Sequence, residues 1–464
     1  MAAHPRASAA RSRLSPDAAF ARWMDVCGDA GWRCVPAVEQ IPVRDGLGRV
    51  TAAPIRALRP APSAACAAMD GIAIRADSAA TDTASTDTAS TDPGPGPRRL
   101  AASAFAWIDT GDPVPAGMDT VVERERVRID ADGSAWITGP APRGRHVRAV
   151  GEDFQAGQLL VPSGRWLRPA DLAAAAAAGH TTLEVTRKPV IAIIPTGDEI
   201  QPIGSELGPG DVVDSNSVLL AARAVQAGAR PLISDVQPDD PDAIAAEVRR
   251  ASLAADLVLV IAGSSVGRDD HTAAVLAHVG GLAVSKVAVR PGHPVLLGYA
   301  LPRLTSADRP LAPVPVIGVP GYPLAAAVSF ELFAVPLLAA LQGREPADRA
   351  RRRVQLGCDW TSPPHLEEWV PVSLTAPSGR NDSTAVVAMP RKGGAGAISR
   401  LVRADAWWPI PIGREKFERG AHIDIQPISP DPFLPGTEPA RQPLTVLDLR
   451  KLAGHRVPGR PGAR

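Results

Sequence analysis

The chain has 464 residues, with 50 Lys+Arg against 49 Asp+Glu, a formal net charge of +1 and 45% hydrophobic residues. At ~100–200 residues per domain that length implies several folding units, and the composition is that of a packed globular protein, not a disordered one. The balanced charge excludes a broad polyanion-binding face, so neither a nucleic-acid nor a membrane-surface partner is expected.

Residues 1–14 are basic and lack the apolar stretch of a signal peptide, so a disordered N-terminus is expected. The segment TDTASTDTASTDPGPGP (81–97) is a repeat with nothing to bury and reads as a flexible surface loop. Around it, residues 98–165 carry short strands broken by Gly and Pro, a small β-rich module. The tract of alanines from Leu172 to Gly179 is too short to span a bilayer. From Lys188 to Leu341 short apolar runs alternate with Ala/Leu/Val helices, which predicts βαβ units and a mainly parallel sheet. The predicted strands are Val190–Ile194, Leu232–Asp235, Leu257–Ala262, Val284–Val289, Val295–Leu297 and Val314–Val319. The predicted helices are Ser217–Ala227, Pro241–Leu253, Thr272–His278 and Leu324–Leu341. From Arg352 the pattern returns to β-like runs, and the last residues form a basic tail. Four cysteines, Cys27, Cys34, Cys66 and Cys358, make no CxxC pair, which argues against structural zinc and for a reducing compartment, with the cytoplasm as default.

In an open parallel sheet, ligands bind where strand-to-helix loops converge at the carboxyl ends of the strands. Three such loops stand out: Pro195–Glu199 (PTGDE), Gly263–Asp270 (GSSVGRDD) and Pro320–Pro323 (PGYP). Gly263 and Gly267 allow close backbone approach, and Ser264 and Ser265 offer hydroxyls and amides to phosphate oxygens. The same residues also end strands and cap helices for structural reasons. Asp269 and Asp270 read either as first-turn helix residues or as carboxylates for Mg²⁺ beside a phosphate. Asp198 and Glu199 are adjacent acids after a strand, a turn or a site. Asp214, Ser215 and Asn216 read as ligand groups or as a capping sequence in which Asn216 or Ser215 satisfies open N–H groups. Arg290 and His293, in RPGHP, could meet an oxyanion.

The ordered set CAAMDGIAIR (66–75), DTGDPVPAGMDTVV (109–122), GEDFQAG (151–157), IPTGDEI (194–200), DVVDSNS (211–217), IAGSSVGRDDHT (261–272), VAVRPGHP (287–294) and GVPGYPLAAAVSFELFAVP (318–336) resembles the MoeA-type molybdopterin molybdenumtransferases, the family that includes the gephyrin E domain. The likeness covers residues 15–428. It implies a multidomain α/β plus β fold: a connecting domain (15–56 with 146–185) whose first helix packs on the core, an inserted β-rich domain (57–145), a molybdopterin-binding α/β domain (186–345) and a C-terminal β-barrel-like domain (346–428), with a tail from 429. It implies a homodimer that inserts molybdenum from molybdate into adenylylated molybdopterin, releases AMP and uses Mg²⁺. Contact with the adenylylating protein or with a recipient molybdoenzyme is implied too.

Carried onto this chain, the resemblance implies Asp270, Asp198, Glu199 and Asp70 as catalytic residues, with Asp270 and Glu199 on the metal. Thr196, Gly197, Asp214, Ser215, Asn216, Gly263, Ser264, Ser265, Gly267, Pro320, Gly321, Pro323 and Thr110 would hold the pterin compound. Arg290, His293, Ser399 and Arg400 would face molybdate. The chain departs from the family pattern where two lysines become Arg290 and His293 and where Asn and Ser become Tyr322 and Ala325. Arg keeps the charge, whereas His with an ordinary pKa of ~6.5 is mostly neutral at pH 7. A second reading is a non-catalytic protein that binds the cofactor and delivers it to a specific molybdoenzyme.

Overall fold

The computed structural model describes residues 13–76, 97–262, 271–302, 312–344, 351–375 and 386–428. The TDTAS repeat, the first twelve residues and the tail lie outside them. Val38–Val185 form one compact unit, and the residues before and after it form another.

The second of these contains an α/β layer built from β1 (Val190–Pro195), α1 (Asn216–Gln226), β2 (Arg230–Ile233), α2 (Pro241–Ser252), β3 (Leu257–Ala262), α3 (His271–Val279), β4 (Gly280–Val284), β5 (Leu296–Ala300) and β6 (Val314–Pro320). The strand order is β2-β1-β3-β6-β5-β4; the first four are parallel, and β5 and β4 add an antiparallel edge. β1 and β6 are buried along their whole length, the condition that makes a strand covered on both faces read as a continuous apolar run. Helix α1 starts where Asp214 Oδ1 accepts from Ser217 N (3.0 Å). Helix α2 starts at Asp240, whose side chain accepts from Asp242 N, with Pro241 following in the first turn.

The expected strand Val284–Val289 does not exist as one element. The chain leaves the sheet after Val284, because Val287 N is taken by His293 O and Ala288 N by Leu14 O. Val289–Arg290 then pairs in parallel with Glu367–Glu368 of the C-terminal domain.

A long apolar helical stretch runs from Pro323 to Leu341, with a π-helical turn at Phe330–Ala334 ahead of Pro336, whose missing N–H breaks the regular ladder. By length and composition it could cross a bilayer, yet Phe330, Phe333 and Leu337 are fully buried in the core, and its single charge, Glu331, pairs with Arg223 of α1. The N-terminal helix Pro16–Asp29 packs on the same core, and the buried Trp23 indole donates to Gly298 O at 2.6 Å.

Arg352–Leu356, Glu367–Thr375, Val387–Pro390, Ala406–Ile410 and His422–Pro427 close into a five-stranded barrel, since Glu367–Thr375 pairs with both Val387–Pro390 and Ala406–Ile410. Its interior is filled by Val354, Leu356, Val370, Val372, Trp408, Ile423 and Ile425.

In the unit Val38–Val185, Gly71–Ile74 is the middle strand of a three-stranded sheet, between Phe105–Ile108 and Thr120–Glu123. Only glycine fits at its head: a Cβ on Gly71 would lie 1.9 Å from Val122 O. A second three-stranded sheet, from Arg98–Leu100, Ala135–Ile137 and Val127–Ile129, shares a core of Ile72, Ile74, Leu100, Val122 and Ile137 with the first.

Candidate functional site

Two of the three predicted loops are described, and both leave carboxyl ends of parallel strands, β1 and β6, that flank β3. After β1, Thr196 is buried, and its amide (3.1 Å) and Oγ1 (2.9 Å) both donate to Ile261 O of β3. Gly197 follows with φ +134°, a conformation that L side chains rarely adopt, and its amide donates to Gln237 O. That turn sends Asp198 and Glu199 toward the loop after β2. Gly263, Ser264, Ser265, Gly267, Asp269 and Asp270 lie outside the described residues.

The loop after β2 supplies an acid that sequence reasoning missed. Asp239 N donates to Asp198 Oδ1 at 3.2 Å. Burial, then the charges of Glu199 and Asp198, push the Asp239 carboxyl above its ordinary range, with His271 pulling the other way. Three carboxylates from two strand ends therefore share one region. The sequence signal was the Asp239-Asp240 pair before Pro241, which reads equally well as a helix start, the role that Asp240 fills.

Asn216, at the start of α1, donates through Nδ2 to Gly321 O at 2.6 Å and so ties DSN to PGYP. Asn216 Oδ1 is buried with no hydrogen-bond partner among the described residues. Asp214 caps α1, whereas Ser215 makes no side-chain cap bond. Pro320 ends β6 and Pro323 opens the helix after it. Between them Tyr322 is 54% exposed, with its ring beside Gly396 of the barrel domain, and Leu324 N donates to Ala395 O. Ala325 is buried.

The four expected oxyanion groups do not share one environment. Arg290 Nε lies 3.9 Å from Glu368 Oε1. Arg400 turns its donors to main-chain carbonyls: Nε to Arg391 O (2.8 Å) and one terminal nitrogen to Gly393 O (2.7 Å). Burial lowers the Arg400 pKa, Glu368 raises it and Arg290 lowers it, which puts all three charges within electrostatic reach. His293 instead answers to Arg13 and Lys286; burial first, then those two cations, hold its pKa below the ordinary value. Among the described residues no neighbour raises it, so His293 is neutral at pH 7. Ser399 opens the short helix Ser399–Val402 and is exposed.

In the other unit, Asp70 Oδ1 accepts from both the amide and the hydroxyl of Thr110, each at 2.6 Å. These bonds, against a small burial effect and with help from Arg124, lower the Asp70 pKa. Asp70 O also accepts from Arg124 N (3.0 Å), and Gly71 faces Glu123 across the sheet. The two predicted residues, far apart in sequence, thus form one hydrogen-bonded pair.

Three family descriptions match the chain in order: "MoeA N-terminal region (domain I and II)" over residues 14–179, "Probable molybdopterin binding domain" over 192–340 and "MoeA C-terminal region (domain IV)" over 353–428. A Nostoc sp. protein named molybdopterin molybdenumtransferase is 35% identical over 304 residues, 64% of this chain and 67% of that protein. Molybdopterin molybdenumtransferase 2 of Mycobacterium tuberculosis is 32% identical over 308 residues, 64% of this chain and 73% of that one. Among solved structures, a molybdopterin biosynthesis moea protein from Pyrococcus horikosii superposes with a TM-score of 0.71 at 27% identity, covering 90% of this chain and 99% of that chain.

Proposed function

The chain belongs to the MoeA family of molybdopterin molybdenumtransferases, and from that premise we propose that it inserts molybdenum from molybdate into adenylylated molybdopterin and releases AMP. The observation that carries this reading is the meeting of Asp198, Glu199 and Asp239 at the carboxyl edge of the parallel sheet, past the ends of β1 and β2.

Cleaving an adenylyl phosphate requires negative charge to be neutralised as it moves to the leaving group. Among the described residues no three carboxylate, histidine or cysteine groups form a ready metal cage. That suits Mg²⁺, which takes one or two carboxylates and completes its shell with substrate phosphate and water. The crowding that raises Asp239 is also what a divalent cation relieves. Glu199 and Asp239, with Asp270, would hold the ion, and it would supply electrostatic stabilisation of the phosphate.

The chain's own groups do the rest. Gly197 allows the tight turn that brings Glu199 into the site, where a Cβ would lie 2.8 Å from Glu199 Oε2, and Gly321 presents its backbone to the pterin compound. Asn216 keeps PGYP in register with α1, and its second polar atom, buried without a partner, awaits a donor from the substrate. Asp214, Thr196 and Ser215 shape the same edge, and Arg290 meets molybdate with a charge that persists at any physiological pH. In the unit Val38–Val185, Asp70 and Thr110 offer a preset hydrogen-bonded pair. We further assign the chain to the cytoplasm and to a homodimer that receives its substrate from an adenylylating partner.

The test is release of AMP from adenylyl-molybdopterin with molybdate and Mg²⁺, and its loss in Glu199→Gln. Tight pterin binding by the wild type with no AMP formed would instead support storage and delivery of the cofactor.

A further inference from the structure

Glu368 took no part in the sequence-based expectations, yet its carboxylate lies 3.9 Å from the Arg290 guanidinium. The parallel register of Val289–Arg290 with Glu367–Glu368 sets Arg290 directly beside Glu368. The Glu368 side chain is 10% exposed while that of Arg290 is 60% exposed, so the acid forms the floor and the base the open face. The Trp360 indole donates to Glu368 Oε2 at 3.1 Å and fixes the carboxylate. Glu368 Oε1 stays 3.9 Å from Arg290 Nε, too far for a hydrogen bond. The carboxylate thus neutralises the guanidinium without occupying its donors. Arg400 adds a second cation in range, but its N–H groups serve the carbonyls of Arg391, Gly393 and Gly394.

Resting on the molybdate-transfer reading above, we propose that Glu368 is a built-in counter-ion of the Arg290 oxyanion site and sets how tightly the chain holds a tetrahedral dianion such as molybdate. An incoming dianion gains the free donors of Arg290 and the field of Arg400, and it meets the repulsion of a carboxylate that cannot swing away. Affinity is thereby held down, which suits a substrate that must be passed on rather than kept. A plain structural ion pair makes the opposite forecast: removing Glu368 would let Arg290 wander and weaken anion binding.

The experiment is calorimetric titration of the full chain with sodium molybdate at low ionic strength. Glu368→Gln keeps the volume and the acceptor for Trp360 and removes the charge. Molybdate should bind on the order of tenfold tighter, as Coulomb repulsion between a dianion and a carboxylate ~6 Å apart predicts at the water-like dielectric of an exposed face, with the gap closing as salt is added. Arg290→Gln should weaken binding in the wild type and erase the gain in the Glu368→Gln background. Unchanged or weaker binding in Glu368→Gln, with Arg290→Gln still impaired, overturns the role of Glu368 alone. Binding that ignores Arg290→Gln overturns the oxyanion-site reading beneath it. Where Glu368→Gln fails to fold by circular dichroism, Glu368→Asp, which draws the charge back, carries the test: tighter binding supports the proposal, and equal or weaker binding overturns it.

Discussion

Replacing Glu123 by Gln should loosen the strand that faces Asp70, and the size of the effect follows from its surroundings. Glu123 Oε1 accepts from Arg145 (2.9 Å) and from His146 Nε2 (2.7 Å), and Oε2 accepts from Arg126 (3.2 Å). Burial alone would raise its pKa; these bonds outweigh it and lower the value from 4.5 to about 2. The side chain is only 15% exposed, so solvent screens little of this. At ~1.4 kcal/mol per pH unit, the ionised carboxylate contributes roughly 3 kcal/mol at neutral pH. The folded value lies below the unfolded one, so this stability is fully present above about pH 4.5 and is lost as the pH falls toward 2. Gln keeps the shape and forfeits the charge. Hydrogen exchange, followed by mass spectrometry and normalised to intrinsic rates, should speed up roughly a hundredfold in peptides over Thr120–Glu123 and Val147–Arg148 at pH 7. At pH 3 the gap between variant and wild type should shrink to about 1 kcal/mol. A change of less than threefold at pH 7, or a gap that does not depend on pH, would refute the reasoning.

Three further outcomes are expected. Asp239→Asn should stabilise the fold while abolishing AMP release: the folded pKa is raised, so the ionised form costs stability at neutral pH, a cost that disappears as the pH falls through the raised value. A lower urea midpoint for the variant at pH 7 would contradict this. His293→Lys should leave molybdate affinity at pH 8 within about threefold of the wild type, because His293 meets Arg13 and Lys286 and not the charges around Arg290; a gain of about tenfold in titrations would return it to the oxyanion site. Asn216→Ala removes the 2.6 Å bond to Gly321 O, about 1–3 kcal/mol for a group left without its donor. Steady-state kinetics should show KM for the adenylylated pterin up by about tenfold, and an unchanged KM would remove Asn216 from the site.

The sequence by itself determined the parts whose physics is local or ordered along the chain. Continuous β-branched runs declared the buried parallel strands, and Pro241 declared a helix start, because burial on both faces and helix-start chemistry leave marks within a few residues; the cap of α1 fell to Asp214 where the sequence pointed to Ser215 or Asn216. The order of the eight motifs declared the family. It also singled out three loops as candidates, of which the glycine-serine loop lies outside the described residues. What it could not settle was which distant charges become neighbours. Asp239, two residues before a predicted helix, carried no role in the sequence until the fold brought it to Asp198. The run Val284–Val289 looked like one strand until competing partners, Leu14, His293 and Glu367–Glu368, drew its second half out of the sheet. Arg290 and His293, three residues apart, looked like one anion site, yet one meets Glu368 and Arg400 while the other meets Arg13 and Lys286. Coulomb forces and desolvation act through space and depend on separations that spacing along the chain does not encode, so only the tertiary structure could assign them.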